Sequence, residues 1–137
     1  MTAKKYASKT IEEFLPALIG RTFDSIEGAE KDSESVEFRL GADSLTMSHE
    51  QDCCEDVHLE QIDGEVADLI GEPLLMAEVV SNKEAPEKYG DTVTWTFVKF
   101  ATAKGYVTFR WYGSSNGYYG EEPRFRLESA DLILSAY

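Results

Sequence analysis

The chain has 137 residues, 42% of them apolar and 12% aromatic, and its 26 Asp and Glu against 13 Lys and Arg give a formal charge of −13. Seven Phe, seven Tyr and two Trp are ample material for one core, which excludes an intrinsically disordered chain and fits a single domain over residues 1–137. No apolar run approaches the ~20 residues of a membrane span, and the start, Met-Thr-Ala-Lys-Lys-Tyr, lacks the apolar stretch of a signal peptide, so the expectation is a cytoplasmic protein without a membrane partner.

Thr10-Ile-Glu-Glu13 matches a capping box, and Ile11, Phe14, Leu15, Leu18 and Ile19 follow at helical spacing before Gly20, which predicts an N-terminal amphipathic helix kinked or shortened at Pro16. The period then changes to two. Phe23 and Ile26 open a strand, Val36, Phe38 and Leu40 form the next, Gly41-Ala-Asp43 turns, and Leu45, Met47 and His49 alternate again. Val57 to Ile62 is a further strand, and Gly64 to Ile70 a short internal helix bounded by Gly71 and Pro73. Leu74 to Ser81 leads through a polar loop, 82–91, to the aromatic runs Thr92 to Ala101 and Tyr106 to Gly113, joined as a hairpin at Thr102-Ala-Lys-Gly105. A strand at Arg124 to Leu127 and the apolar Leu132 to Leu134 complete an α+β fold, mainly antiparallel β-sheet with an N-terminal helix and one short internal helix.

Charge is concentrated. Residues 24–72 hold sixteen acids and only Lys31 and Arg39 as bases, a net of −14, whereas 1–23 carry +2 and 73–137 carry −1. Such a field repels nucleic acid at low salt, so no direct nucleic-acid partner is expected. It serves either as a solubilising surface or as a mimic of a phosphate backbone.

Walker, dinucleotide-glycine, Gly-x-Ser-x-Gly and His-Glu-x-x-His motifs are all absent, and no enzymatic activity and no cofactor are expected. His49-Glu-Gln-Asp-Cys53-Cys54-Glu-Asp-Val-His58 crowds zinc-type donors into ten residues. Adjacent cysteines seldom direct both sulfurs at one ion, so no metal site is expected, and Cys53 and Cys54 read instead as small, reduced, buried residues with His49 and His58 hydrogen-bonded nearby. A cysteine nucleophile is disfavoured by the acidic surroundings. A divalent-metal phosphodiesterase built on His49, Asp52 and His58 is the least favoured class.

The second constellation is Phe109-Arg110-Trp111-Tyr112-Gly113-Ser-Ser-Asn116-Gly117-Tyr118-Tyr119. Val107, Phe109 and Trp111 share the core face of a strand, and Tyr106, Thr108, Arg110 and Tyr112 the other. Arg110 can grip a phosphate, a ring among Tyr112, Tyr118 and Tyr119 can stack a base, and Asn116 can read a base edge or ribose. The competing reading is a cross-strand aromatic ladder with Arg110 stacked on a tyrosine. Trp95 and Phe97 are assigned to the core first.

Ser48-His49-Glu-Gln51-Asp52-Cys53-Cys54-Glu55, Asp68-Leu-Ile70-Gly71, Thr94-Trp95-Thr96-Phe97 and Arg110 to Tyr118 resemble a family of small phage- and plasmid-borne proteins over residues 19–119. That pattern is similar to the first Thoeris anti-defence family. The resemblance implies a homo-oligomeric β-rich sponge for a cyclic nucleotide or ADP-ribose-derived immune signal such as glycocyclic ADP-ribose, bound without hydrolysis in the host cytoplasm. Arg110 coincides with the phosphate-gripping arginine that the resemblance implies, and Tyr112, Asn116 and Tyr118 complete the candidate ligand set. Two copies enclosing the ligand would meet through the N-terminal helix face or Leu132-Ile-Leu134. The alternative function is an acidic nucleic-acid mimic that inhibits a bacterial defence protein, for instance of CRISPR type.

Overall fold

The computed structural model describes residues 4–84 and 90–136. Ten strands, β1 (Lys5–Lys9), β2 (Ser25–Glu27), β3 (Ser35–Leu40), β4 (Asp43–Ser48), β5 (Asp56–Asp63), β6 (Met76–Glu84), β7 (Thr92–Thr102), β8 (Gly105–Ser115), β9 (Arg124–Glu128) and β10 (Leu132–Ala136), are joined by little helix. They form two sheets, a six-stranded one in the order β1-β10-β9-β4-β3-β2 and a four-stranded one in the order β5-β8-β7-β6. Every pairing is antiparallel except β1 with β10. The α+β, β-dominated class read from the sequence is the observed one.

The helical segments are shorter than the periodicity predicts. Thr10 caps α1 (Ile11–Phe14) by accepting from the Glu13 N–H, and Pro16 then converts the continuation into a 3-10 turn over Leu15–Leu18, because proline supplies no N–H for the α-helical ladder. The internal helix is likewise a single 3-10 turn, Val66–Leu69. β1 was not expected, since all five of its residues are exposed and it carries no alternation. β6 runs to Glu84, into the segment read as loop, and part of that loop, 85–89, lies outside the described residues.

The sheets face each other across an aromatic core. Phe38 of β3 meets Phe100 of β7 and Phe109 of β8 edge-on at 5.6 and 5.8 Å, and Phe23 packs on Phe38 and Phe100. Ile11, Phe14, Leu15 and Leu18 close one side of this core, all at most 4% exposed. The apolar face of the N-terminal helix is therefore consumed inside the chain, whereas β10 buries Ile133 and leaves Leu132 and Leu134 half-buried on its other face. No helix among the described residues is long and apolar enough to cross a membrane.

Candidate functional site

On β7 the usual sorting of polar and apolar residues is inverted. Thr94, Thr96, Val98 and Phe100 are buried, whereas Trp95 and Phe97 lie half-buried on the opposite, outer face. Assignment of Trp95 and Phe97 to the core is thus corrected. The inward threonines are tolerated because each has a partner: Thr94 Oγ1 donates to Glu121 Oε1 at 2.8 Å, and Thr96 Oγ1 lies 3.3 Å from Ser81 Oγ. A buried hydroxyl without such a partner would cost roughly 1–3 kcal/mol.

The outer face of β8 carries Arg110 and Tyr112, while Val107, Phe109 and Trp111 are fully buried, as the alternation predicts. Register sets Tyr112 between His58 of β5 and Trp95 of β7. Its ring meets Trp95 edge-on at 5.2 Å and lies 5.4 Å from His58. Arg110 is opposite Gln61 and Phe97, its guanidinium carbon 5.3 Å above the Trp95 ring, and Nη2 donates to Gln61 Oε1 at 2.7 Å. A register shift between Leu59 and Gln61 creates that contact. In an unbulged strand Gln61 would point into the core. Arg110 Nε is buried without a hydrogen-bond partner among the described residues. The face is thus an aromatic ladder carrying an oriented arginine, with Trp95 rather than a tyrosine beneath the guanidinium.

His58 ends the ladder at the acidic edge. Asp56 Oδ1 is 2.8 Å from its Nδ1 and Glu60 Oε2 is 3.2 Å from its Nε2. Burial works against its charge, but those two hydrogen bonds prevail and hold the imidazolium above its ordinary pKa. Asp32, His58 and Glu60 bring ligand atoms within 4.8 Å of one another and are the described residues disposed to hold a cation. His49 and Asp52 do not join them. The constellation His49, Asp52, His58 therefore does not assemble.

Asn116 and Tyr118 lie apart from Arg110 and Tyr112. Asn116 Oδ1 accepts from the Tyr118 N–H at 3.0 Å, and Tyr118, 85% exposed, packs its ring on Tyr119. At about 3.3 Å per residue the turn begins roughly 10 Å beyond Tyr112, so one protomer presents two pairs rather than a single cluster of four. The turn is built around Glu121, a residue the sequence did not single out. Its buried carboxylate accepts from Thr92, Thr94 and Ser115, and although burial raises its pKa, those hydroxyls and the charge of Lys83 leave it below the usual carboxylate range. Gly113 serves the same packing, since a Cβ there would collide with the backbone carbonyl of Glu121.

The His49–Glu55 loop has a matching anchor. Glu55 is buried and accepts from the backbone N–H of Cys53 (2.8 Å) and Asp52 (3.2 Å); the Cys53 bond is the main reason its pKa is lowered. Gln51 Nε2 donates to the carbonyls of Cys53 and Glu55, and the His49 side chain, 8% exposed, places Nε2 3.4 Å from Glu55 Oε2. The expectation that Cys53 and Cys54 are small, reduced, buried residues is corrected. They are exposed and joined to each other by a disulfide. A cleft of about 300 Å³ lined by Lys83, Tyr119, Glu122 and Arg124 and a smaller cavity of about 70 Å³ bordered by His49 and Asp52 share Gly120, Glu122 and Arg124, so the two sequence motifs meet at one end of the molecule.

These features define a small two-sheet β protein whose polar motifs serve loop architecture and whose aromatic residues are displayed outward on one sheet. The chain belongs to the family defined by the domain of unknown function DUF7448, whose model matches residues 16–125. No curated protein and no solved structure matches it.

Proposed function

We propose that the protein binds and sequesters a cyclic nucleotide signal of the glycocyclic ADP-ribose type, as a phage-borne anti-defence protein in the host cytoplasm, and does not hydrolyse it. The observation that carries this reading is Arg110, laid on Trp95, positioned by Gln61 and flanked by Tyr112. A guanidinium held over a π-surface beside a second ring offers a phosphate contact and a stacking platform together. Trp95 joins Arg110 and Tyr112 as a contact, with Asn116 and Tyr118 serving at the rim. Nanomolar capture needs about 12 kcal/mol, which an open sheet face does not supply. A second copy stacked on this face encloses the ligand, so the functional unit is a homo-oligomer. Calorimetry with cyclic ADP-ribose isomers, followed by denaturation and recovery of the ligand, tests the reading. Heat of binding with intact ligand recovered supports it; no heat with any isomer defeats it, and a cleaved product makes the protein an enzyme.

A second reading is favoured by the acidic edge. Asp56, Glu60 and Asp63 lie along β5, and the 30–34 loop is tied to that strand by Asp32 N–H to Leu59 O (2.7 Å) and Leu59 N–H to Ser33 O (2.8 Å), which adds Glu30, Asp32 and Glu34. Such an edge suits a basic groove that normally holds nucleic acid. Glu55, buried beneath its loop, takes no part in it. Association with a basic partner that weakens steeply with salt, and more from Asp56→Asn with Glu60→Gln than from Arg110→Ala, is the outcome this reading requires.

A further inference from the structure

We propose that Cys53 and Cys54 form a reversible thiol–disulfide site, opened and closed by exchange with small thiols, and that the surrounding carboxylates select cationic thiols over anionic ones. A structural disulfide stabilises chiefly by closing a long loop of the unfolded chain. A bond between neighbours, one residue apart in sequence, closes no such loop and so has little to contribute to stability. What remains is its chemistry. Both cysteines are exposed to solvent, so an attacking thiolate reaches either sulfur.

The loop also holds its shape without the sulfurs. The Asp52 and Cys53 N–H groups are bound to Glu55, and the Cys53 and Glu55 carbonyls to Gln51, none of which depends on the sulfur–sulfur bond. Opening the bond therefore leaves both thiols adjacent and ready to close again. No Lys or Arg occurs between Arg39 and Lys83, whereas Glu50, Asp52 and Asp56 are exposed around the pair. Among the described residues that border the small cavity beside the pair, the exposed Glu50, Asp52 and Glu122 outnumber Arg124, and the approach is negative.

The exchange balances as follows. The thiolate of a small thiol attacks one cysteine sulfur, the other cysteine leaves as thiolate and takes a proton, and a mixed disulfide forms. A second small thiol attacks the small-thiol sulfur of that mixed disulfide, releasing a small-molecule disulfide and the second cysteine, which is protonated in turn. The protein disulfide is reduced by two electrons, two small thiols are oxidised, and their two protons pass to the cysteines.

The full-length protein is oxidised with cystamine, then reduced with cysteamine (cationic), 2-mercaptoethanol (neutral) or mercaptoethanesulfonate (anionic). Iodoacetamide labelling and intact mass are followed, with rates expressed per thiolate. The oxidised chain should lack two hydrogens, take no label and stay uncrosslinked between chains, and the reduced chain should take two labels and melt at the same temperature. Cysteamine should outpace mercaptoethanesulfonate roughly tenfold at low salt, with the gap closing at high salt. Cys54→Ser should instead carry one mixed disulfide. Oxidation that yields mixed disulfides or chain-to-chain dimers in the wild type, or a marked fall in melting temperature on reduction, overturns the site. Equal rates for the three thiols overturn the selection by charge.

Discussion

Two glutamates explain why the polar residues of this chain look like a site and act as a frame. Glu121 gathers Thr92, Thr94 and Ser115 at the end of the sandwich, and Glu55 gathers two backbone N–H groups of its own loop. Glu121→Ala takes the acceptor from the buried Thr94 hydroxyl and leaves Thr92 and Ser115 only their longer bonds to the Ser115 and Tyr119 carbonyls, and should cost roughly 2–4 kcal/mol in a urea melt. Both carboxyls are held below their ordinary pKa, so the stability they contribute is present above about pH 4.5 and is lost as pH falls through their lower folded values. His58 has the opposite sign. Its folded pKa is raised, so its contribution is complete below about pH 6.5 and disappears as pH rises through the folded value. Melting temperature measured from pH 6 to 9 should therefore decline in the wild type and decline less in His58→Gln. Neither glutamate was legible as an anchor in the sequence, because a buried carboxylate and a solvated one are the same letter. The only trace was the run of hydroxyl residues at Thr92, Thr94 and Ser115 on inward positions.

At the scale of elements, strand periodicity located most of the fold and one face of the candidate site. Val107, Phe109 and Trp111 read correctly as core because β8 alternates cleanly, but β7 offered two possible phases. Aromatic character argued for Trp95 inward, and the hydrogen-bonding partners of the threonines, distant in sequence, decided the reverse. Apolar periodicity overstates the helices where Pro16 and the short 66–69 segment limit them, and β1 leaves no periodic signal because both of its faces are exposed. The assigned phases make a paired test. Trp111→Ala should destabilise by about 3–5 kcal/mol through a core cavity, whereas Trp95→Ala should cost about 1 kcal/mol and abolish ligand capture. Arg110→Ala should leave the melt nearly unchanged and weaken binding by roughly 2–5 kcal/mol. An Arg110→Ala protein that melts as low as Trp111→Ala would place the arginine in a structural network instead.

For the whole molecule, the uneven charge becomes a spatial fact. The acidic 24–72 segment supplies β5 and the loops beside it, so one edge of the four-stranded sheet is strongly negative while the aromatic ladder lies inside that edge. An anionic ligand must reach Arg110 past this rim, so salt should quicken its association by screening the repulsion. A basic macromolecular partner would show the contrary dependence. The two tryptophans give this arrangement a direct optical test. Trp111 is fully buried, and its indole N–H has no hydrogen-bond partner among the described residues, so Trp111→Phe loses volume but no hydrogen bond and leaves Trp95 as the sole reporter. Titration of that variant with cyclic ADP-ribose isomers should quench or shift its emission saturably, at the concentrations that produce heat in calorimetry, and Arg110→Ala in the same background should move the transition to much higher ligand concentration. Binding detected by heat with Trp95 emission unchanged would put the ligand elsewhere and contradict the outward face of β7 and β8 as its site.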